Sequence, residues 1–144
     1  MSNLKQAIKQ NYVKCAKSPS YFINEFCTIQ HPQRGKIKFK LYPYQYDVLD
    51  EFEKHDYNVV LKSRQLGIST LSAAYALWMM LFHNDKNILC IATSKDTAKN
   101  LVTKVRIMYE GLPNWLKTAI VENNKLSLIF KNGSQIKAIA SNES

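Results

Sequence analysis

The spacing of hydrophobic residues at the start of the chain predicts two short helices and no strand. Apolar residues in 4–17 recur among lysines with a helical period, and Ser18-Pro19-Ser20 ends that helix. A second short helix follows, with Tyr21, Phe22 and Phe26 as its apolar anchors. The chain therefore opens with a basic helical segment.

A change of period follows this helical segment. Residues 31–35 read as a turn, and Ile37 and Phe39 alternate with lysines as in a short strand. Pro43 suits the first turn of a further helix, because its missing N–H needs no partner there. One face of that helix is expected to carry Tyr46, Leu49 and Phe52.

The middle of the chain alternates strands and helices. The β-branched run 58–61 and the run 87–92 predict two buried parallel strands. Between them, a loop with the single glycine Gly67 leads into a helix that begins near Ser69 and is apolar almost all round. Thr93-Ser94 caps the next helix. Its apolar positions are Ala98, Leu101, Val102, Val105 and Met108. This order is typical of a parallel α/β sheet.

The C-terminal part predicts a β-hairpin. After a short helical stretch near Trp115, strands at 126–130 and 135–139 flank Asn132-Gly133, which is a signal for a type I′ turn. We divide the chain into a helical approach, residues 1–40, and an α/β segment, residues 41–144. A parallel α/β domain normally continues beyond such a strand, so we expect the chain to be part of a larger domain.

Composition narrows the possible functions. Hydrophobic residues make up 46% of the 144 residues and charged residues 22%, which favours a packed core over disorder. The most apolar stretch, 71–82, is too short to span a membrane. The three cysteines have no C-x-x-C spacing and the histidines do not complete a zinc site, so reduced thiols are expected.

The charge balance favours a polyanionic partner. The formal net charge is +9, which suits nucleic acid as well as a merely solvated basic surface. Two candidate faces for weak, sequence-independent DNA binding are the lysines at 36, 38 and 40 and those at 95, 99 and 104.

The segment between the two predicted central strands is the best candidate for chemistry. It runs Lys62-Ser63-Arg64-Gln65-Leu66-Gly67-Ile68-Ser69-Thr70. Compared with G-x-x-x-x-G-K-[ST], Gly67 and Ser69 match, Ile68 replaces the lysine, and Lys62 replaces the first glycine. Backbone N–H groups form such an anion nest and need no particular side chain. A lysine at the front of the loop has a long, flexible stem, so it can still reach the β- and γ-phosphates. The alternative is an ordinary turn with a solvated Lys62.

Three further features bear on this hypothesis. Arg64 would pair with phosphate or stabilise the transition state, unless it is simply an exposed arginine. Gln45, among tyrosines 42, 44 and 46, would read an adenine edge while an aromatic ring stacks on the base; the alternative is a helix start with core tyrosines. Residues 48–51 imitate an acidic magnesium motif, but they precede the loop and fit an amphipathic helix with a solvated acidic face.

Taken in order, these segments resemble the large terminase subunit of tailed bacteriophages. The matching pieces are Tyr21-Phe22-Ile23, Ile29-Gln30-His31-Pro32, Phe39-Lys40-Leu41-Tyr42-Pro43-Tyr44-Gln45, the loop with Leu61 and Leu71, Leu112-Pro113-Asn114-Trp115-Leu116, and Asn132-Gly133-Ser134. The resemblance implies a partial P-loop NTPase of the additional-strand, RecA-like type, preceded by a helical approach and ending in the β-hairpin.

The resemblance also implies roles and partners. Lys62 and Arg64 would be catalytic, Gln45 would sense adenine, and Ser69 would bind magnesium, with ATP and Mg²⁺ as cofactors. The partners would be double-stranded DNA, a portal ring and a small terminase subunit, with no membrane and with homo-oligomers formed on the portal. The location would be the host cytoplasm, transiently on the procapsid. The family's Walker B carboxylates and nuclease cluster have no counterpart here, so residues 1–144 alone should turn over little ATP.

Two other functions fit the same residues. A helicase-like nucleic-acid translocase shares the glutamine, the loop and the strand–helix order. A non-catalytic module that binds DNA or a portal would explain the positive charge and the missing acidic motif.

Overall fold

The computed structural model describes residues 2–61 and 67–141. In chain order the elements are α1 (Ser2–Lys17), α2 (Pro19–Phe26), β1 (Thr28–His31), β2 (Gly35–Lys38), α3 (Pro43–Lys54), α4 (Ile68–Phe82), β3 (Asn87–Ala92), α5 (Lys95–Glu110), a 3-10 turn (Asn114–Leu116), β4 (Ile120–Asn123), β5 (Ser127–Phe130) and β6 (Gln135–Ala140). All five predicted helices and the helical turn near Trp115 are therefore present.

The N-terminal segment is two helices followed by a small hairpin. Ser18 caps α2, because its Oγ accepts the backbone N–H of Tyr21 at 3.2 Å, and Pro19 occupies the first turn. Strands β1 and β2 then pair antiparallel, with Ile29 opposite Ile37. The sequence indicated β2 and the turn before it, but not β1.

The main sheet is mixed, with the strand order β3-β6-β5-β4. Strands β3 and β6 are parallel, with Cys90 opposite Ala138, whereas β6, β5 and β4 are successively antiparallel. The predicted hairpin is confirmed as β5–β6, and β4 is an addition that the sequence did not indicate. The structure thus confirms an α/β fold, but only β3 and β6 pair in parallel, so the described sheet is mixed and not the parallel sheet that the sequence predicted.

The prediction of a buried strand at 58–61 is wrong for this structure. These residues belong to none of the strands, and Val59 and Leu61 are almost completely exposed. An apolar run is buried in a parallel sheet only if neighbouring strands and helices cover it, and the described sheet provides no ladder for this run. Its apolar side chains therefore face solvent.

Strand β3 is also less buried than the sequence predicted. It lies at the edge of the sheet, where its side chains alternate between exposed and more buried. Leu89 is 59% exposed and Ile91 is 63% exposed. Helices α4 and α5 pack near the other face, where Ile88, Cys90 and Ala92 point inward. Because helices cover only one face of β3, every second side chain is buried and the others face solvent.

The turn of the β5–β6 hairpin differs from the predicted type I′ turn. A type I′ turn needs positive φ at both central residues, but of Asn132 and Gly133 only Gly133 has it, at +88°. Asn132 instead binds the end of α4: its Nδ2 donates to the carbonyls of Met80 at 2.7 Å and His83 at 3.3 Å. The loop is shaped by this contact with the helix.

Helix α4 is the centre of the hydrophobic core. Nine of its fifteen residues are buried, which agrees with a helix predicted to be apolar almost all round. The N-terminal segment shares this core, since the indole Nε1 of Trp78 donates to the carbonyl of Cys15 at 2.8 Å. Phe26 of α2 also packs edge-on against Trp115, with ring centroids 5.3 Å apart. Within the described residues, no helix is long and apolar enough to cross a membrane.

Candidate functional site

The N-terminus of α4 is bounded by a glycine that no other residue type fits easily. Gly67 is the N-cap residue with φ of +71° and ψ of 17°, the left-handed region. Its carbonyl accepts the N–H of Leu71 at 2.9 Å, which closes the first turn. Gly67 has no side chain to cap the helix, and the first turn contains no acidic residue. The backbone N–H groups of this turn therefore form a positive helix end.

The predicted site residues divide between described and undescribed parts of the chain. Lys62, Ser63, Arg64, Gln65 and Leu66 lie outside the described residues, so their predicted contacts with phosphate stay predictions. Gly67 and the three residues after it, Ile68, Ser69 and Thr70, are described and open α4.

Within this first turn, the position of Ile68 explains why an isoleucine replaces the usual lysine. The Ile68 side chain is buried, with 8% of its surface exposed, so it is part of the packing of α4. Ser69 and Thr70 are half-buried at the same helix end. A hydroxyl at Ser69 is thus retained beside the positive end of the helix.

Gln45 connects α3 to this helix end. Its side chain is 1% exposed, its Oε1 accepts the N–H of Tyr42 at 2.8 Å, and its Nε2 donates to the carbonyl of Gly67 at 3.4 Å. A Cβ added at Gly67 would lie 2.9 Å from that Nε2. The amide therefore sits directly against the glycine of the loop, and both of its ends bond within the protein. Its predicted contact with adenine stays a prediction.

The tyrosines around Gln45 are not core residues. Tyr42 and Tyr44 stack with their ring planes 8° apart and their centroids separated by 6.1 Å, and Tyr42 is 64% exposed. The core-tyrosine alternative is therefore wrong. Tyr46 is also exposed, and its hydroxyl accepts a hydrogen bond from Asn24 Nδ2. Of the residues predicted for one face of α3, Leu49 is buried and Tyr46 is not, and Gln45 is the other buried residue of the helix.

Lys104 reaches the same helix end from α5. Its Nζ donates to the Thr70 hydroxyl at 3.3 Å, and the lysine is half-buried. The grouping of Lys104 with Lys95 and Lys99 on one face is wrong, because nine residues at 100° each place Lys104 about 180° from Lys95. The sequence analysis did not place Lys104 beside the candidate site, although the helical period already puts Lys104 and Lys95 on opposite faces of α5.

Two clefts lie near the site. The smaller, of about 170 Å³, includes Thr28, Gln30, Thr70 and Lys104, and in the part of the chain that is described Thr28 Oγ1 is buried there without a hydrogen-bond partner. The larger, of about 710 Å³, runs along the outer edge of β3. It is mainly apolar, with Phe52, Tyr75, Leu89, Leu101 and Val105 among its lining residues.

Metal ligands and thiols add little to this site. Across residues 2–61 and 67–141, no group of three or more His, Cys, Asp or Glu side chains is placed to hold a metal ion. Burial raises the pKa of the Cys15 thiol to about 12, with a smaller contribution from the Glu25 charge. Burial also raises the pKa of Cys27 and Cys90.

Comparisons with known proteins agree with the resemblance drawn from the sequence. The crystal structure of the HK97 bacteriophage large terminase matches this chain with a TM-score of 0.69 at 20% sequence identity, which shows a shared fold. The match covers 90% of this chain and 28% of that protein. Residues 59–144 match the family described as terminase large subunit, T4likevirus-type, N-terminal. Because this match covers more than half of the sequence, the chain belongs to the N-terminal family of terminase large subunits.

Proposed function

We propose that this chain binds ATP with Mg²⁺ at the N-terminus of α4, as part of a phage DNA-packaging motor with a P-loop NTPase fold. The observation that carries the proposal is the uncapped, acid-free helix end opened by Gly67 in the left-handed conformation. Helix ends of this kind favour phosphate, because their N–H groups and the helix dipole both point at the anion. The donors present therefore fit a triphosphate.

Each residue of the loop has a proposed task. The backbone N–H groups of Ile68, Ser69 and Thr70 hold phosphate oxygens, while Lys62 neutralises the β- and γ-phosphates. Ser69 contributes its hydroxyl to Mg²⁺, which when bound reduces the negative charge on the phosphates. Arg64 stabilises the charge that develops during transfer. The rest of the loop, including Ser63, Gln65 and Leu66, contributes backbone.

Gln45 and the exposed tyrosines give this site a place for the base. An amide carries both a donor and an acceptor, and Tyr42 and Tyr44 present stacked rings close to it along the chain. Because Gln45 Nε2 donates to the Gly67 carbonyl, a base that hydrogen-bonds to the amide also changes the contact that Gln45 makes with the phosphate loop. We propose that this bond reports occupancy of the base site to the loop.

In the complete motor, we propose that ATP hydrolysis drives double-stranded DNA into a procapsid. The family match favours this role over a helicase-like translocase. A portal ring and a small terminase subunit are the proposed partners, with homo-oligomers assembled on the portal in the host cytoplasm. The carboxylates for hydrolysis have no candidate after Gly67, where acidic residues are isolated in sequence, so residues 1–144 alone should bind ATP with little turnover.

Nucleotide titration tests the proposal. The purified chain is titrated with a fluorescent ATP analogue and Mg²⁺, alongside Lys62→Ala and the control Lys125→Ala, which removes an exposed lysine. We expect Lys62→Ala to weaken binding by at least roughly tenfold, the order expected for a charge-assisted phosphate contact, and Lys125→Ala to bind like the unaltered chain. If the unaltered chain does not bind ATP, the proposed function fails. If Lys62→Ala binds normally, only the role of Lys62 fails.

A further inference from the structure

Helix α1 is attached to the rest of the protein along one side only. Cys15 is its single fully buried residue, and the Cys15 carbonyl accepts the indole N–H of Trp78. On the same side, the ring of Tyr12 packs edge-on against Phe82, with centroids 5.2 Å apart. Asn11 accepts a hydrogen bond from the hydroxyl of Tyr21 at 3.3 Å. These contacts fix the orientation of α1 and leave its opposite side exposed.

The exposed side of α1 is basic and contains no acid. At 100° per residue, Lys5, Lys9 and Lys17 fall within about 120° of one another, roughly 80°, 120° and 160° around the helix from Cys15. All three lysines are exposed, and the helix contains no Asp or Glu. We define the outer face of α1 as Lys5, Gln6, Lys9, Gln10, Val13 and Lys17. Lys14 is left out because its ammonium lies 5.9 Å over the ring of Tyr21.

The chemistry of the outer face selects one kind of partner. Lysine and glutamine are among the side chains that bind phosphate and sugar oxygens in protein–DNA contacts. A protein interface has an apolar centre, whereas this face offers only Val13, which is 40% exposed. A membrane-surface helix needs a continuous unused apolar side, but on that side of α1 Tyr12 packs against Phe82 of α4 and Leu4 is the largely exposed residue. A polyanionic backbone fits best.

The dimensions of the outer face suit a duplex. Twelve residues separate Lys5 from Lys17, and a rise of 1.5 Å per residue spreads the three charges over about 18 Å. Phosphates succeed one another every 3.4 Å or so along the axis of one DNA strand, so several lie within that length. The lysines can therefore contact several phosphates spread along one strand without bending the helix.

We infer that the outer face of α1 is a sequence-independent contact surface for the phosphate backbone of double-stranded DNA. The inference rests on the proposed function for its partner, but it concerns a helix that forms no part of the nucleotide site. It replaces the lysines of α5 as the second candidate face, because Lys104 is turned toward Thr70. The lysines at 36, 38 and 40 remain the competing face.

Two triple variants with the same loss of charge test the inference. In K5Q/K9Q/K17Q the outer face is neutral, and in K36Q/K38Q/K40Q the hairpin face is neutral. Both are titrated with two unrelated 30-base-pair duplexes at salt concentrations from 50 to 200 mM. Circular dichroism and ATP binding, which both variants should retain, check the fold and the nucleotide site separately.

The salt dependence of binding decides the outcome. We expect the slope of log K against log salt to become shallower by about 0.9 for each lysine that contacts a phosphate. For three contacts, the affinity ratio between 50 and 200 mM salt shrinks by roughly fortyfold. We expect this change in K5Q/K9Q/K17Q and not in K36Q/K38Q/K40Q. Equal changes in both variants, or a change in the hairpin variant alone, would overturn the inference. So would α1-dependent binding of polyglutamate in the absence of DNA binding.

Discussion

Replacing Gly67 by alanine tests whether the amide of Gln45 fixes the conformation of the loop. The substitution has two separable costs. The first is backbone strain, because Gly67 has φ of +71° and an L-residue there loses about 1–2 kcal/mol. The second is steric, because the new Cβ would lie 2.9 Å from Gln45 Nε2, a buried atom already bonded to the Gly67 carbonyl.

Gly35 provides a matched control. Its φ is +70°, nearly identical to that of Gly67, but a Cβ added there meets nothing within 4 Å. Gly35→Ala should therefore cost only the strain, about 1–2 kcal/mol. Displacing the Gln45 amide breaks a buried hydrogen bond, worth about 1–3 kcal/mol. Gly67→Ala should thus lower the free energy of unfolding by roughly 2–5 kcal/mol.

Urea unfolding followed by tryptophan fluorescence measures both costs. The same two substitutions are then made in a Gln45→Ala background, which removes the steric partner. We expect the excess cost of Gly67→Ala over Gly35→Ala to fall by at least 1 kcal/mol or so in that background, as coupled neighbours do. Equal costs for the two glycines, unchanged by Gln45→Ala, would show that Gln45 does not support the loop. Gly67→Ala should also weaken ATP binding, whereas Gly35→Ala should not.

Three further predictions concern the core. In urea unfolding, Ser134→Ala should lower the free energy of unfolding by about 1–3 kcal/mol. The buried hydroxyl donates to the His83 carbonyl and accepts the backbone N–H of Lys86. The exposed Ser141→Ala should cost under about 0.5 kcal/mol, and equal losses would contradict this account. Thr28→Val should leave stability unchanged or raise it by about 1 kcal/mol, because the hydroxyl has no partner within the described residues. A clear loss would mean that the hydroxyl is bonded. Cys15 should resist alkylation at pH 9, since its pKa is raised from 9.0 to about 12. The neutral, buried Cys15 thiol should stabilise the fold fully below pH 9 and lose that contribution as the pH rises towards 12. Rapid alkylation of the folded chain at pH 9 would contradict the raised pKa.

The helices could be predicted from the sequence because each carries its own signal. Pro43 marks the start of α3, and Ser94 caps α5 by accepting the N–H of Thr97. The apolar positions of α5 recur with the helical period and are mostly buried. Helix α4 lacks such periodicity, but its apolar character almost all round correctly predicted a buried helix.

The strands were harder to predict because their burial depends on partners distant in sequence. The run 58–61 has the composition of a buried strand, yet no described strand pairs with it. Strands β1 and β4 carry no alternation of apolar and polar residues in their four positions, so they have no strand signal of their own. The turn at Asn132 was misread for a related reason. Its conformation is set by carbonyls of α4 about fifty residues earlier, and a local turn rule does not include them.

The candidate site was partly accessible from the sequence. Gly67, Ser69 and Thr70 follow from the loop pattern, and Gln45 was singled out by the donor and acceptor of its amide among the tyrosines. The bond between Gln45 and Gly67, 22 residues apart, and that between Lys104 and Thr70, 34 residues apart, depend on how three helices pack. No spacing rule connects such residues, although the helical period was enough to remove Lys104 from the basic face of α5.

Helix α4 gives a common physical reason for several of the segments that carry the resemblance. At its N-terminus, Gln45 contacts Gly67, and Lys104 contacts Thr70. At its C-terminus, the Asn132-Gly133-Ser134 loop binds the last carbonyls, because Ser134 Oγ donates to His83 at 2.9 Å and Asn132 donates to Met80. Carbonyls at a helix end need such partners when they are buried. The helix that begins at the candidate phosphate site is therefore held at both ends, by α3 and α5 at its start and by the β5–β6 loop at its finish.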